Sequence, residues 1–191
     1  MEPGDSAAAA TTATATRAKT DTDTTTETAE AKTETKAEAP KITNYLSPET
    51  IDLNISGESP EQVIRHLAGL GAGTGAIGDI DTVVAAAMKR EEQGATAVGD
   101  GIAIPHAKSD GATRPVLAFG RSAGVDWQAP DGKPSDLIFL IAVPEAQAGD
   151  EHLRILAALS RALMRTPVRD GLRNADDAQE VIRVLDEAIS G

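Results

Sequence analysis

Read from the N-terminus, the chain begins without a hydrophobic pattern. Residues 1–40 are mostly Ala, Thr, Glu, Asp and Lys, with no Leu, Ile, Val or aromatic residue. Such a stretch buries too little apolar surface to offset the entropy of ordering it. A disordered tail or linker is therefore expected over 1–40 and a folded domain over 41–191. Within the domain, Ile51, Leu53 and Ile55 alternate with polar residues, the period of a short strand. Ser59-Pro60-Glu61-Gln62 reads as a helix start, with Ser as N-cap and Pro at the first position. Val63, Ile64, Leu67 and Leu70 then share one face, and His66 falls off that face as a solvated helix residue. The glycine-rich stretch Gly69–Asp81 is expected to connect this helix to the next. That second helix, capped by Asp79 or Asp81, carries Ile80, Val84, Ala87 and Met88 on its apolar stripe. It ends in Lys89-Arg90-Glu91-Glu92 before Gly94.

The C-terminal half continues the alternation of strands and helices. Val116–Gly120 reads as a strand and Val125–Trp127 as a short one. Leu137–Val143 is a continuous apolar run, the pattern of a central strand covered on both faces. A long helix is expected over roughly Asp150–Arg165, burying Leu153, Leu156, Ala157, Leu159, Ser160 and Leu163. Pro167 opens a short helix through Leu172. Asp176 or Asp177 caps a last one, with Val181, Ile182, Val184, Leu185 and Ile189 apolar. These elements predict a single layered α/β domain with a mixed sheet.

Composition then removes several kinds of chemistry. The 191 residues contain no cysteine, which excludes disulfides, cysteine-ligated zinc and thiol catalysis. Three histidines without His-Glu-x-x-His spacing argue against a bound catalytic metal. A formal charge of −12 and a pI of about 4.6 argue against nucleic acid or anionic membrane as partners. The same charge suits either docking to a basic protein or the solvated surface of a salt-adapted one. The run Leu137–Val143 is far shorter than the roughly 20 residues a membrane-spanning helix needs. The N-terminus MEPGDSAAAA lacks the basic and bulky apolar features of a signal peptide, so a cytoplasmic protein is expected. Gly73, Gly75 and Gly78 match G-x-G-x-x-G, but they follow a helix. A dinucleotide loop must follow a strand and open a helix.

The stretch Glu91–Ala107, EEQGATAVGDGIAIPHA, holds the chemistry-bearing residue. His106 follows a short alternating apolar run, with Pro105 fixing the backbone and Ala107 leaving room beside the ring. A neutral imidazole there is a competent nucleophile near pH 7, although a histidine that merely packs at a sheet end fits the same facts. His152 sits in the first turn of the long helix. Arg90 is explained by the helix dipole alone, as a cation in a last turn.

The stretch also resembles the phosphorylation-site signature of enzyme IIA of the sugar phosphotransferase system, mannitol/fructose type. Glu91, Val98, Gly99, Ile102-Ala103-Ile104-Pro105-His106 and Ala107 satisfy its positions. Further similarity runs through Ala118–Ser122, Val125–Trp127, the stretch from Asp131 to Glu145, and Glu151–Met164. It covers about Asn44 to Ser190 and is most like fructose-type domains. The resemblance implies a mixed, mostly parallel five-stranded sheet with helices on both faces. It implies that His106 accepts a phosphoryl group on Nε2 from the phosphocarrier protein HPr. The group then passes to a cysteine of a fructose-type IIB domain, which serves a membrane IIC permease, with no cofactor or metal. His152 takes the place of the family's second active-site histidine, Arg90 that of its arginine, and Asp100 that of a nearby acid. The acceptor that orients the His106 ring is either a backbone carbonyl or Asp100. A nitrogen-regulatory relative, in which the phosphohistidine is a signal, is the alternative within the same family.

Overall fold

A computed structural model describes residues 41–147 and 149–191; the tail expected over 1–40 lies outside these residues. Two short 3-10 turns, Ile42–Asn44 and Pro48–Thr50, lead into β1 (Ile51–Ile55), α1 (Pro60–Gly73) and α2 (Ile80–Glu92). Next come β2 (Ala97–Gly99), β3 (Ile102–Ala103), β4 (His106–Lys108), β5 (Val116–Val125) and β6 (Ser135–Val143). A 3-10 turn at Glu145–Gln147 precedes α3 (Asp150–Leu163), α4 (Thr166–Asn174) and α5 (Ala178–Ser190).

The expected caps form. Ser59 accepts from the Gln62 N–H, Asp79 from Thr82, and Asp177 from Glu180, each satisfying an orphan donor of a helix N-terminus. α1 runs further than its apolar stripe indicates, through Gly73, so the connection to α2 is short. Of the glycines of the G-x-G-x-x-G match, Gly73 thus ends α1 and Gly75 and Gly78 lie in the connection, with no strand directly before them.

β6 is the centre of the sheet, whose order is β1-β5-β6-β3-β2 with β4 also paired to β6. β5 runs antiparallel to β6; β1 lies parallel to β5, and both β3 and β4 lie parallel to β6. The sheet is mixed as expected but has six strands among the described residues, not five. β3 and β4 follow one edge of β6, beside Leu137–Ile138 and then Ile141–Val143. Pro105, which has no N–H for the ladder, stands between them while its carbonyl accepts from Ile141 N–H. The strand expected at Val125–Trp127 does not form separately. Val116–Val125 is one ten-residue strand with a register shift between Arg121 and Val125, and Trp127 is buried beyond its end.

Alternation along β6 serves two cores. Ile138, Leu140 and Ala142 face α1 and α2, together with the small residues Ala103, Ala107 and Ala118. Leu137, Phe139, Ile141 and Val143 face α3, α4 and α5. Phe119 and Phe139, directly opposed across β5 and β6, pack with ring centroids 4.7 Å apart. α3 turns a different face inward from the one expected. It buries His152, Ile155, Ala158, Leu159, Ala162 and Leu163, and leaves Leu153 58% exposed. Two neighbouring stripes of this helix are about equally apolar once His152 is counted as a core residue, and packing against β6 selects between them.

Candidate active site

His106 opens β4, on the side of Pro105 away from β3, rather than ending a strand. It pairs with Ile141, a residue of the α3-facing core, so strand alternation turns its ring toward α3. Its Nδ1 lies 3.0 Å from the Ile104 carbonyl oxygen. A carbonyl only accepts, so in the neutral ring Nδ1 carries the proton and Nε2 keeps a lone pair. Burial pushes the His106 pKa below its ordinary value; Arg90 and Lys108 add to the depression, while the Ile104 carbonyl and Glu91 oppose it. The ring is thus kept as a neutral nucleophile at pH 7.

His152 is the third residue of α3, at the positive end of the helix dipole. It is only 4% exposed, and neither ring nitrogen has a hydrogen-bond partner among the described residues. Burial, then the proximity of His106, Lys108 and Arg90, lowers its pKa from 6.5 to about 4. Its ring centroid lies 4.9 Å from that of His106, the planes tilted by 40°. The Tyr45 hydroxyl donates to Glu151, tying the first turn of α3 to the chain entering the domain.

The two rings line a cleft of about 500 Å³ with Ala86, Lys89, Arg90, Gln93, Lys108 and Glu145. β4 has no strand on its outer edge among the described residues, which leaves this side of the sheet open. Arg90 Nη1 donates to the Gly94 carbonyl at 3.0 Å, the role of a helix-end cation, while the side chain still lines the cleft. Lys89, Arg90 and Lys108 give the cleft a local excess of positive charge in a chain of net charge −12. Lys108 was not among the sequence-derived candidates. It follows His106 by two residues in a strand and therefore shares its face, a signal visible only once β4 is recognised.

Asp100 is not brought to this cleft. It adopts φ +54° between β2 and β3, and its carboxylate lies 3.5 Å from Arg169 on α4. The neighbouring Gly101 carbonyl accepts from Asp136 and Leu137 N–H, whereas His106 sits beside Ile141. Four residues along β6 put roughly 13 Å between these levels. The ring acceptor of His106 is accordingly the Ile104 carbonyl, and Asp100 belongs to a surface network with Arg169, Arg173 and Asp131. His66 also lies away from the cleft, exposed, its Nε2 2.8 Å from Asp52 Oδ2. Among the described residues no group of three or more His, Cys, Asp or Glu side chains is placed to hold a metal ion. Nor is any helix there long and apolar enough to cross a membrane.

Residues 44–188 match the family model described as "Phosphoenolpyruvate-dependent sugar phosphotransferase system, EIIA 2". The chain belongs to this family. It is 44% identical over 142 residues to a fructose-specific EIIA component of Haloferax volcanii, covering 74% of this chain and 92% of that protein. It is 36% identical over 152 residues to a nitrogen regulatory protein of Pseudomonas aeruginosa, covering 79% and 98% of the two chains. Among solved structures, the nitrogen regulatory protein IIA-Ntr of Neisseria meningitidis superposes with a TM-score of 0.68 at 31% identity, covering 74% of this chain and 97% of that one. EIIA membership accounts for the mixed sheet between two helical layers.

Proposed function

We propose that this EIIA domain is a phosphoryl carrier that accepts phosphate from phospho-HPr on His106 and delivers it to the cysteine of a fructose-type IIB domain. One observation carries the reading. His106 has its Nδ1 committed to the Ile104 carbonyl and its ring against a second, unpartnered histidine in a cationic cleft. In the first step the Nε2 lone pair attacks phosphorus, and the bond from phosphorus to the HPr imidazole breaks as that ring takes back its electron pair. The His106 Nδ1–H keeps donating to the Ile104 carbonyl, whose oxygen supports the positive charge that develops on the ring. In the second step a thiolate of IIB attacks phosphorus and the Nε2–P bond breaks, returning His106 to its neutral form. Such transfers depend on in-line placement and charge stabilisation. His152 supplies an N–H to a phosphoryl oxygen, and Arg90 and Lys108 offset its charge.

The fructose assignment rests on the identity with the Haloferax volcanii component. The second reading is a regulatory IIA whose output is protein binding governed by phosphorylation, favoured by the Pseudomonas aeruginosa and Neisseria meningitidis relatives. Incubation with labelled phospho-HPr tests the carrier role: wild type takes label and His106→Ala takes none. Addition of a fructose-type IIB domain then separates the readings. Rapid loss of label from His106 to IIB supports transport, and retention of label in its presence supports the regulatory branch.

A further inference from the structure

Glu91, the penultimate residue of α2, turns its carboxylate away from solvent onto a single residue. One carboxylate oxygen accepts from the Thr96 N–H at 2.9 Å and the other from the Thr96 hydroxyl. Thr96 is buried, and its carbonyl accepts from the Ile104 N–H at 3.2 Å. The Ile104 carbonyl is the acceptor for His106 Nδ1. Pro105 contributes no N–H, and its carbonyl is taken by Ile141, so the segment Ile104–His106 hangs between β6 and this chain of bonds. The charge-assisted contacts of Glu91 are the strong first link; the backbone bonds that follow are ordinary ones.

We infer that Glu91 is a positioning residue for His106, fixing Thr96 and, through it, the Ile104 carbonyl that sets the tautomer and orientation of the imidazole. The inference rests on His106 being the phosphoryl acceptor. Nearby Arg90 and Lys108 bear on the His106 ring as charges, but neither touches the Ile104 peptide in the way Thr96 does. Glu91 itself does not line the cleft; apart from its charge, which opposes the lowering of the His106 pKa and which Glu91→Gln removes, its effect on the reaction passes through the backbone. A displaced Ile104 carbonyl would release Nδ1, letting the proton move to Nε2 and removing the attacking lone pair.

The test pairs nitrogen NMR of the His106 ring with the initial rate of phosphorylation by phospho-HPr, in wild type, Glu91→Ala, Glu91→Gln and Thr96→Val. Wild type shows the Nδ1–H tautomer. Glu91→Ala shows a mixture of tautomers and a rate lower by about tenfold to hundredfold, the range misplacement of a reacting group produces. Glu91→Gln restores both, because its amide accepts from the Thr96 N–H and donates to the Thr96 hydroxyl. Thr96→Val, which removes one of the two contacts and preserves shape, shows the same change in smaller degree and decides the question should Glu91→Ala fail to fold. A folded Glu91→Ala with an unshifted tautomer, whatever its rate, overturns the inference, as does wild-type behaviour of both readouts in Thr96→Val. Failure of the carrier reading looks different: wild type takes no label at all, while the tautomer comparison still reports on Glu91.

Discussion

His106 and His152 pack at 4.9 Å between ring centroids, one with its Nδ1 proton assigned by a backbone carbonyl and the other with neither nitrogen bonded among the described residues. A buried polar group without a partner is unfavourable unless a ligand supplies one. A phosphoryl group on His106 Nε2 is such an acceptor. The pair is therefore asymmetric in its hydrogen bonding, and under the proposed function the first ring attacks and the second donates.

Replacement of His152 by Ala should slow phosphoryl transfer by about 100-fold, the usual effect of losing one donor to a developing charge. Stability should change by no more than about 1 kcal/mol, since lost ring packing is offset by removing two unpaired nitrogens. Single-turnover phosphorylation and urea unfolding at pH 7 read the two quantities. A wild-type rate in a folded His152→Ala protein would remove His152 from the mechanism.

The same residue should make stability depend on pH. Its folded pKa of about 4 lies below the ordinary 6.5, so between these values the unfolded chain binds more protons. Stability is complete above about pH 6.5 and is lost as pH falls toward 4, and the depressed pKa of His106 acts in the same direction. His152→Ala lacks the larger contribution. Urea unfolding across this range should therefore show the variant gaining on wild type as pH drops, by more than about 1 kcal/mol near pH 4.5. Parallel curves for the two proteins would contradict this.

Arg90 and Asp100 should separate in kinetics. Arg90→Ala removes a cation lining the cleft and is expected to reduce phosphorylation by about tenfold, with a smaller loss for Arg90→Lys. Asp100→Asn alters a side chain that faces Arg169 and is 62% exposed, so phosphorylation should stay within about twofold of wild type. The phospho-HPr assay on all three variants decides the matter, and equal losses at both positions would reject the division drawn from the geometry.

Glycine positions give a stability comparison independent of the chemistry. Gly101 has φ +79°, and a Cβ there would clash with Asp136 Oδ1 and stand 2.7 Å from Arg173 Nη2. Gly101→Ala should cost at least about 2 kcal/mol, from backbone strain and from breaking the Arg173–Asp136 pair. Gly69, inside α1 with open space around its Cα, should instead gain about 0.5–1 kcal/mol on substitution by Ala. Thermal unfolding of the two variants beside wild type measures both shifts.

Much of this domain is written in local pattern. The uninterrupted apolar run Leu137–Val143 has the pattern and length of a strand buried on both faces, and β6 is that strand. Ser59, Asp79 and Asp177 cap helices because their side chains reach N–H groups three residues on, a relationship contained within each segment. Pro105 before His106 likewise marks a break in the ladder, and the signature around it is one part of a similarity that runs along residues 44–188.

Other relationships needed the assembled layers. The stripe of α3 that faces inward could not be read from its own periodicity, because His152 counts as polar until β6 and His106 surround it. Asp100 lies six residues from His106 in sequence, yet β3 and the break at Pro105 carry the chain between them and leave Asp100 beside α4. The contacts from Glu91 through Thr96 and Ile104 join a helix end, a loop and a strand break that share no common period. By itself, then, the sequence determined the helices, the central strand and the candidate phosphoryl acceptor, but not the short strands β2, β3 and β4 around it. The tertiary structure alone decided which groups surround that acceptor. Periodicity reports neighbours along one element, whereas the rotation of a helix and the register of a strand are set by packing and hydrogen bonding summed across the whole domain.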